Sequence, residues 1–166
     1  TIKKYLQQYK YKAAETQDLF DLFQEAAEKN NILNWNAEVL NVSLVFSDWV
    51  YKYGFPELTI KWDENNEQFN ITQQQQIYYK PENQPTYQWY VPVWFKLNDT
   101  NSQRSDTYWI LPNSTLILNK TIIGFSQPEE VLFDPDLNGY YKVFLNTTWG
   151  EEFQKKREQQ EYLEKK

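Results

Sequence analysis

The sequence predicts a mainly β chain: an immunoglobulin-like antiparallel β-sandwich preceded by about three short helices. Three observations carry this. Up to Val50 the apolar residues recur with a helical period, and from Leu58 onward they alternate as in strands. Between the two lies Tyr53-Gly54-Phe55-Pro56, where a glycine stands at a position suited to left-handed backbone and a proline forbids the helix to resume. Beyond it come seven or eight short apolar runs separated by turn residues, the spacing of a sandwich.

Taken in order, residues 1–11 place Ile2, Tyr5, Leu6 and Tyr9 on one helical face. A second helix starts from Thr16 as N-cap, with Asp18 in its first turn. Its stripe is Leu19, Leu22, Phe23, Ala26 and Ala27, and Asn30-Asn31 end it. Val39, Val42, Phe46, Trp49 and Val50 form a third face. Three helices this short are expected to pack on something larger. Leu58–Trp62 and Gln68–Tyr79 read as strands around the turn Asp63–Asn66, with Gln73–Gln76 an ordinary part of the second strand. Tyr87–Phe95 is the most aromatic strand, and Pro92 marks it as an edge or a bulge. Thr107–Leu111 and Thr115–Leu118 flank a turn at Pro112-Asn113, and Ile122, Ile123 and Phe125 suggest another strand. Val131–Phe133 and Tyr140–Leu145 are expected to pair as a hairpin across the loop 134–139, which ends in Gly139. Residues 151–166 read as a charged helix with Glu-Lys pairs and almost no apolar face.

Composition excludes several functions. The chain of 166 residues has a net charge of −6 and a pI near 4.8, which argues against nucleic acid and anionic membrane surfaces. It has no cysteine, hence neither disulfides nor thiol chemistry, and no histidine, which removes the usual nucleophilic triads and makes a zinc site exceptional. No run has the length of a membrane span, so no direct membrane insertion is expected. Methionine is absent, even at position 1, so the sequence reads as a piece of a longer protein.

Asn-x-Ser/Thr sequons begin at Asn41, Asn70, Asn98, Asn113, Asn119 and Asn146. With 15 Asn and 17 Ser plus Thr in 166 residues, chance supplies about 1.5. The excess points to glycosylation at these six positions and to an extracellular setting, secreted or as a plasma-membrane ectodomain.

Four motifs occur in an order that resembles the aminopeptidase N-like zinc aminopeptidases, the gluzincins. They are Tyr5-Leu6 with Thr16-Gln17-Asp18-Leu19-Phe20; Trp49 with Gly54-Phe55-Pro56; Tyr87-x-Trp89-Tyr90-Val91-Pro92-Val93; and Asp134 to Gly139 followed by Tyr140-Tyr141-Lys142-Val143, with Trp149. Lys142 stands where the family has Arg, Asp134 where it has Asn, and Leu145-Asn146 where it has Tyr-Asp. The resemblance implies that residues 1–53 are the last helices of a thermolysin-like catalytic domain, 54–149 an inter-domain β-sandwich, and 150–166 a charged helical tail or the start of a C-terminal helical domain. Trp49, Gly54, Pro56, Trp89, Pro92, Gly139, Tyr140, Tyr141 and Trp149 would be its structural residues.

The resemblance further implies a parent that removes N-terminal residues from peptides with zinc, while this stretch is a spacer without catalytic or metal residues. Its partners would be the parent's other domains or chains, and a homo-oligomer formed through those domains stays open. A receptor segment for an external ligand is one alternative.

Thirty aromatic residues raise another: an adhesive or carbohydrate-binding sandwich stacking sugars on Trp89, Trp94 and Trp109. Asp134 and Asp136 are expected as a solvated turn, with catalysis or Ca²⁺ binding the less favoured readings.

Overall fold

The computed structural model describes residues 1–78, 85–97 and 107–147. The chain forms two compact units divided between Lys52 and Tyr53.

The first unit holds α1 (Ile2–Gln8), α2 (Thr16–Lys29) and α3 (Val42–Tyr51). The second helix begins one residue earlier than the sequence suggests. Glu15 is its N-cap, and Asp18, three residues on, accepts from the Glu15 amide at 2.8 Å, so the capping box and not the hydroxyl of Thr16 sets the start. That bond, with a second from Tyr9, holds the Asp18 carboxyl below its ordinary range. Asn41 caps α3 by accepting from Leu44 N at 2.9 Å.

The core between α2 and α3 is Phe20, Leu22, Ala27, Val42 and Val45, with Phe46 stacked on Phe23 at 5.4 Å. Gln24 Oε1 accepts from Val42 N at 2.9 Å, fastening one helix to the start of the other. The apolar face of α1 is not buried: Ile2 and Leu6 are exposed, and no residue of that helix is in the core.

The second unit is a sandwich-like arrangement of β1 (Phe55–Asp63), β2 (Gln68–Gln76), β3 (Val91–Val93), β4 (Phe95–Leu97), β5 (Tyr108–Ile110), β6 (Leu116–Asn119), β7 (Val131–Phe133) and β8 (Lys142–Asn146). A four-stranded sheet runs β6-β2-β1-β8, and two ribbons pair β3 with β5 and β4 with β7. Alternation places Leu58, Ile60, Phe69, Ile71, Leu118 and Leu145 on the buried face of the sheet. Trp89, Val91, Val93, Phe95, Ile110 and Phe133 supply the other side of the core. Phe69 meets Phe133 edge to face at 5.2 Å across the layers.

Four expectations change. The Tyr87–Phe95 strand is interrupted: β3 pairs with β5, β4 pairs with β7, and the chain changes partner at Trp94. Pro92 lies opposite Trp109 in a two-stranded ribbon, the kind of edge position in which proline is found. Ile122 and Ile123 belong to a helical turn, α4 (Lys120–Ile123), because Asn119 caps it through Ile122 N and Gly124 ends it at φ 79°. Val131–Phe133 and Lys142–Asn146 are not a hairpin. They lie in different sheets, and β8 joins β1 in parallel, so loop 134–141 is a crossing between layers. The expected second strand stops at Gln76 rather than Tyr79. Trp149 and the 151–166 helix lie outside the described residues.

The segment before β3 is held by side chains rather than a ladder. Trp89 N donates to Gln73 Oε1 at 2.9 Å, and Gln73 Nε2 donates to Trp89 O at 2.8 Å and to Leu111 O at 3.2 Å. Gln75 Oε1 accepts from Tyr87 N at 3.2 Å, and its Nε2 donates to Tyr53 O at 2.8 Å. Gln73 is 8% exposed and Trp89 1%.

Gln73→Leu should therefore destabilise by about 3 kcal/mol, the scale of leaving buried backbone donors and acceptors unpaired. Gln74→Leu, on the opposite face, should change little. Urea denaturation of both variants checks this, and equal losses would contradict it.

Gly54 and Gly124 have φ of 80° and 79°, but only at Gly54 would a β-carbon fall against backbone, the carbonyl of Gln76. Both alanine variants should lose roughly 1–2 kcal/mol to left-handed strain, and Gly54→Ala should lose clearly more. Comparing melting temperatures separates clash from strain.

Candidate functional site

Pro56 is buried in β1 opposite Gln75, and Gly54 precedes that strand. The α3 helix ends in an extended residue, Lys52, so Gly54 begins the strand rather than capping the helix. Trp49 is half-buried in the last turn of α3. Trp89 is enclosed in the sandwich core, which removes it as a sugar-stacking surface. Trp94 is half-buried, donates to Thr107 Oγ1 at 3.1 Å and stacks on Tyr141 at 6.4 Å, and Trp109 is half-buried opposite Pro92. Tyr141 is buried, whereas Tyr140 is exposed with its ring against Phe55.

Asp134 is 2% exposed, which corrects the expectation of a solvated turn. Its amide donates to Trp94 O at 2.9 Å, and its Oδ1 accepts from Asn138 N at 3.0 Å and Gly139 N at 3.2 Å. A β-carbon on Gly139 would strike the Tyr141 ring, so the glycine is needed where the loop folds back. Asp136 is paired with Lys96 at 2.9 Å. Both carboxylates are thus engaged within the protein. Among the described residues no group of three or more His, Cys, Asp or Glu could hold a metal ion, and no helix is long and apolar enough to cross a membrane.

An open cleft of about 340 Å³ lies between the β1–β2 turn and the segment after α4. Trp62 and Phe125 line it with Glu64, Glu67, Glu129 and Lys120, and Lys120 bridges to Glu67 at 3.2 Å. Beside it Asp63 accepts from Asn66 Nδ2 at 2.7 Å. That side-chain bond, with the backbone amides of Asn66 and Asn65, holds the Asp63 carboxyl below its ordinary range.

Of the sequons, Asn113 is exposed at φ 59° in the turn between β5 and β6, and Asn41 and Asn119 are helix N-caps. Asn70 and Asn146 lie on β2 and β8. Asn98 falls outside the described residues. Periodicity could not reveal the buried roles of Gln73 and Asp134, since both are polar residues in a strand or turn context. The one available signal was the Asp-x-x-x-x-Gly spacing of the loop.

Asp134→Ala should cost about 1–3 kcal/mol by stranding the amides of Asn138 and Gly139. Asp134→Asn, which keeps an acceptor oxygen, should cost less. Thermal melts of the two variants test the order.

No protein-family model matches the chain. Among the curated proteins similar to it are three aminopeptidases. Endoplasmic reticulum aminopeptidase 1 of Mus musculus is 24% identical over 171 residues, covering 90% of this chain and 17% of that protein. Puromycin-sensitive aminopeptidase of Caenorhabditis elegans is 26% identical over 144 residues, covering 86% and 14%. Aminopeptidase Q of Homo sapiens is 25% identical over 148 residues, covering 86% and 14%. The chain spans only 14–17% of the length of these relatives. The chain is distantly related to aminopeptidases.

Proposed function

We propose that this chain is the architectural part of a zinc-dependent ectoaminopeptidase of the aminopeptidase N-like kind. Residues 1–53 are the last helices of its catalytic domain, and 150–166 are the start of a C-terminal helical domain. Residues 54–149 are the sandwich that spaces those two domains. The parent hydrolyses N-terminal residues from peptides with a zinc ion held elsewhere in the protein, and works outside the cell. One observation carries the reading: each of the three aminopeptidases aligns with 86–90% of this chain, so the likeness takes in the helices and the strands together rather than a single motif. The six sequons support the secretory setting. The adhesive reading has less support, because one of its three tryptophans, Trp89, is enclosed in the core.

The transcript encoding these residues should carry an H-E-x-x-H helix and a further glutamate as third zinc ligand within the few hundred residues upstream. The chain by itself should neither form a one-to-one zinc complex in calorimetry nor hydrolyse aminoacyl substrates. An upstream region without the motif, or a tight stoichiometric zinc complex of this chain, would overturn the proposal.

A further inference from the structure

The four-stranded sheet has one buried and one outward face. Its alternation sends Phe69, Ile71 and Gln73 of β2 inward and Asn70, Thr72 and Gln74 outward. The same alternation turns Asn119 of β6 and Asn146 of β8 outward, each next to a buried leucine, Leu118 and Leu145. Five sequon asparagines fall among the described residues, and three of them share this one face.

The register brings them together. Lys61 of β1 lies opposite Asn70 on one side and opposite Asn146 on the other, so the three form a row across β8, β1 and β2. Asn119 lies opposite Gln68, two residues along β2 from Asn70. Neighbouring strands stand about 4.8 Å apart, so Asn70 and Asn146 are roughly 10 Å from each other with Lys61 between. Gln68 Nε2 donates to Asn70 Oδ1 at 3.2 Å, and Ile122 N donates to Asn119 Oδ1 at 2.9 Å. Both bonds use the carbonyl oxygen and leave the amide nitrogen, the atom that takes the sugar. Thr72 stands two residues after Asn70 on the same outward face, and Thr121 two after Asn119; both are exposed.

We infer that this outward face is an N-glycan-bearing face, with Asn70, Asn119 and Asn146 as acceptors, and that no other domain of the parent covers it. In the modification each Nδ2 forms a bond to the anomeric carbon of an oligosaccharide carried on a lipid pyrophosphate. The anomeric C–O bond breaks, the lipid pyrophosphate leaves with that electron pair, and the amide proton passes to a base of the transferase. The face suits this burden. Its other residues include Glu57, Thr59, Lys61, Gln68 and Gln74, with Ile117 and Phe144 as two isolated exposed apolar side chains of the kind that protein surfaces ordinarily carry. Neighbouring domains are left the edges and ends of the sandwich. The inference rests on the proposed secretory setting.

The test is to secrete the full chain from a eukaryotic cell line behind a cleavable leader and to map occupancy by glycosidase release in ¹⁸O water. Glycans on Asn70, Asn119 and Asn146 are expected. With sugars in place, Lys61 should react several-fold more slowly with an amine-directed reagent than in the N70Q/N146Q variant. Those three sites bare while Asn41 or Asn113 is occupied, or all of them bare, would overturn the inference. So would equal reactivity of Lys61 with and without the sugars. Native material tests the route separately: sites filled under forced secretion but bare in native protein would leave the acceptor face standing and overturn the extracellular reading.

Discussion

The sandwich depends on one side-chain amide. Gln73 projects from β2 into the core and presents a carbonyl and an NH₂ group to the backbone of Trp89, reproducing with a side chain the paired donor and acceptor of a strand. It does so where the chain has no ladder partner, just before β3, and the same NH₂ reaches Leu111 O just after β5. One residue therefore fastens the four-stranded sheet to both strands of the β3–β5 ribbon at one of its ends. A buried, fully bonded amide of this kind specifies a single arrangement, since any slip of β2 by one residue would leave the Trp89 backbone groups without partners. Trp89 can be wholly enclosed only because its own amide and carbonyl are satisfied in this way.

The second constraint is the loop after β7. Asp134 extends the β4–β7 pairing by donating to Trp94 O, and then gathers the amides of Asn138 and Gly139 on its carboxylate. The chain is thereby released from one ribbon and sent to the far edge of the four-stranded sheet, where β8 pairs in parallel with β1. A hairpin could not make that move, because it returns the strand beside its predecessor in antiparallel sense. Gly139 permits the close approach of Tyr141, whose ring stacks on Trp94 and closes the crossing.

Much of this fold was legible in the sequence where period alone decides the outcome. The strands Leu58–Trp62 and Gln68–Gln76 have clean alternation, and the change of period between Val50 and Leu58 marks where the helical unit gives way to strands. The positive φ of Gly54 follows from residue type and place. What was not legible is pairing. Val131–Phe133 and Lys142–Asn146 look like a hairpin because a glycine-ended loop joins them, and nothing local shows that a buried aspartate sends them to different sheets. Ile122 and Ile123 look like strand residues, but Asn119 and Gly124 bracket them as a helical turn. The glutamine run looks ordinary because the bonds of Gln73 and Gln75 are to residues more than ten positions away. As for the candidate site, the sequons were visible from the start, but their gathering on one face emerges only from register.

The sandwich carries several features beyond apolar alternation. Its shape is set by interactions that resist adjustment: a bonded amide in the core, a buried aspartate at the crossover, and glycines at Gly54 and Gly139 where a β-carbon would strike backbone or ring. They act on top of the apolar alternation of the inner faces, which provides the general drive to fold. They are what holds two layers in one fixed relation, with β8 presented as a short strand paired, among the described residues, on one side only. The outward face of the sheet carries Lys61, Asn70, Thr72 and Gln74 together with the exposed Ile117 and Phe144. Fixed layers and a strand edge left open among the described residues are what the proposed spacer role asks of this sandwich.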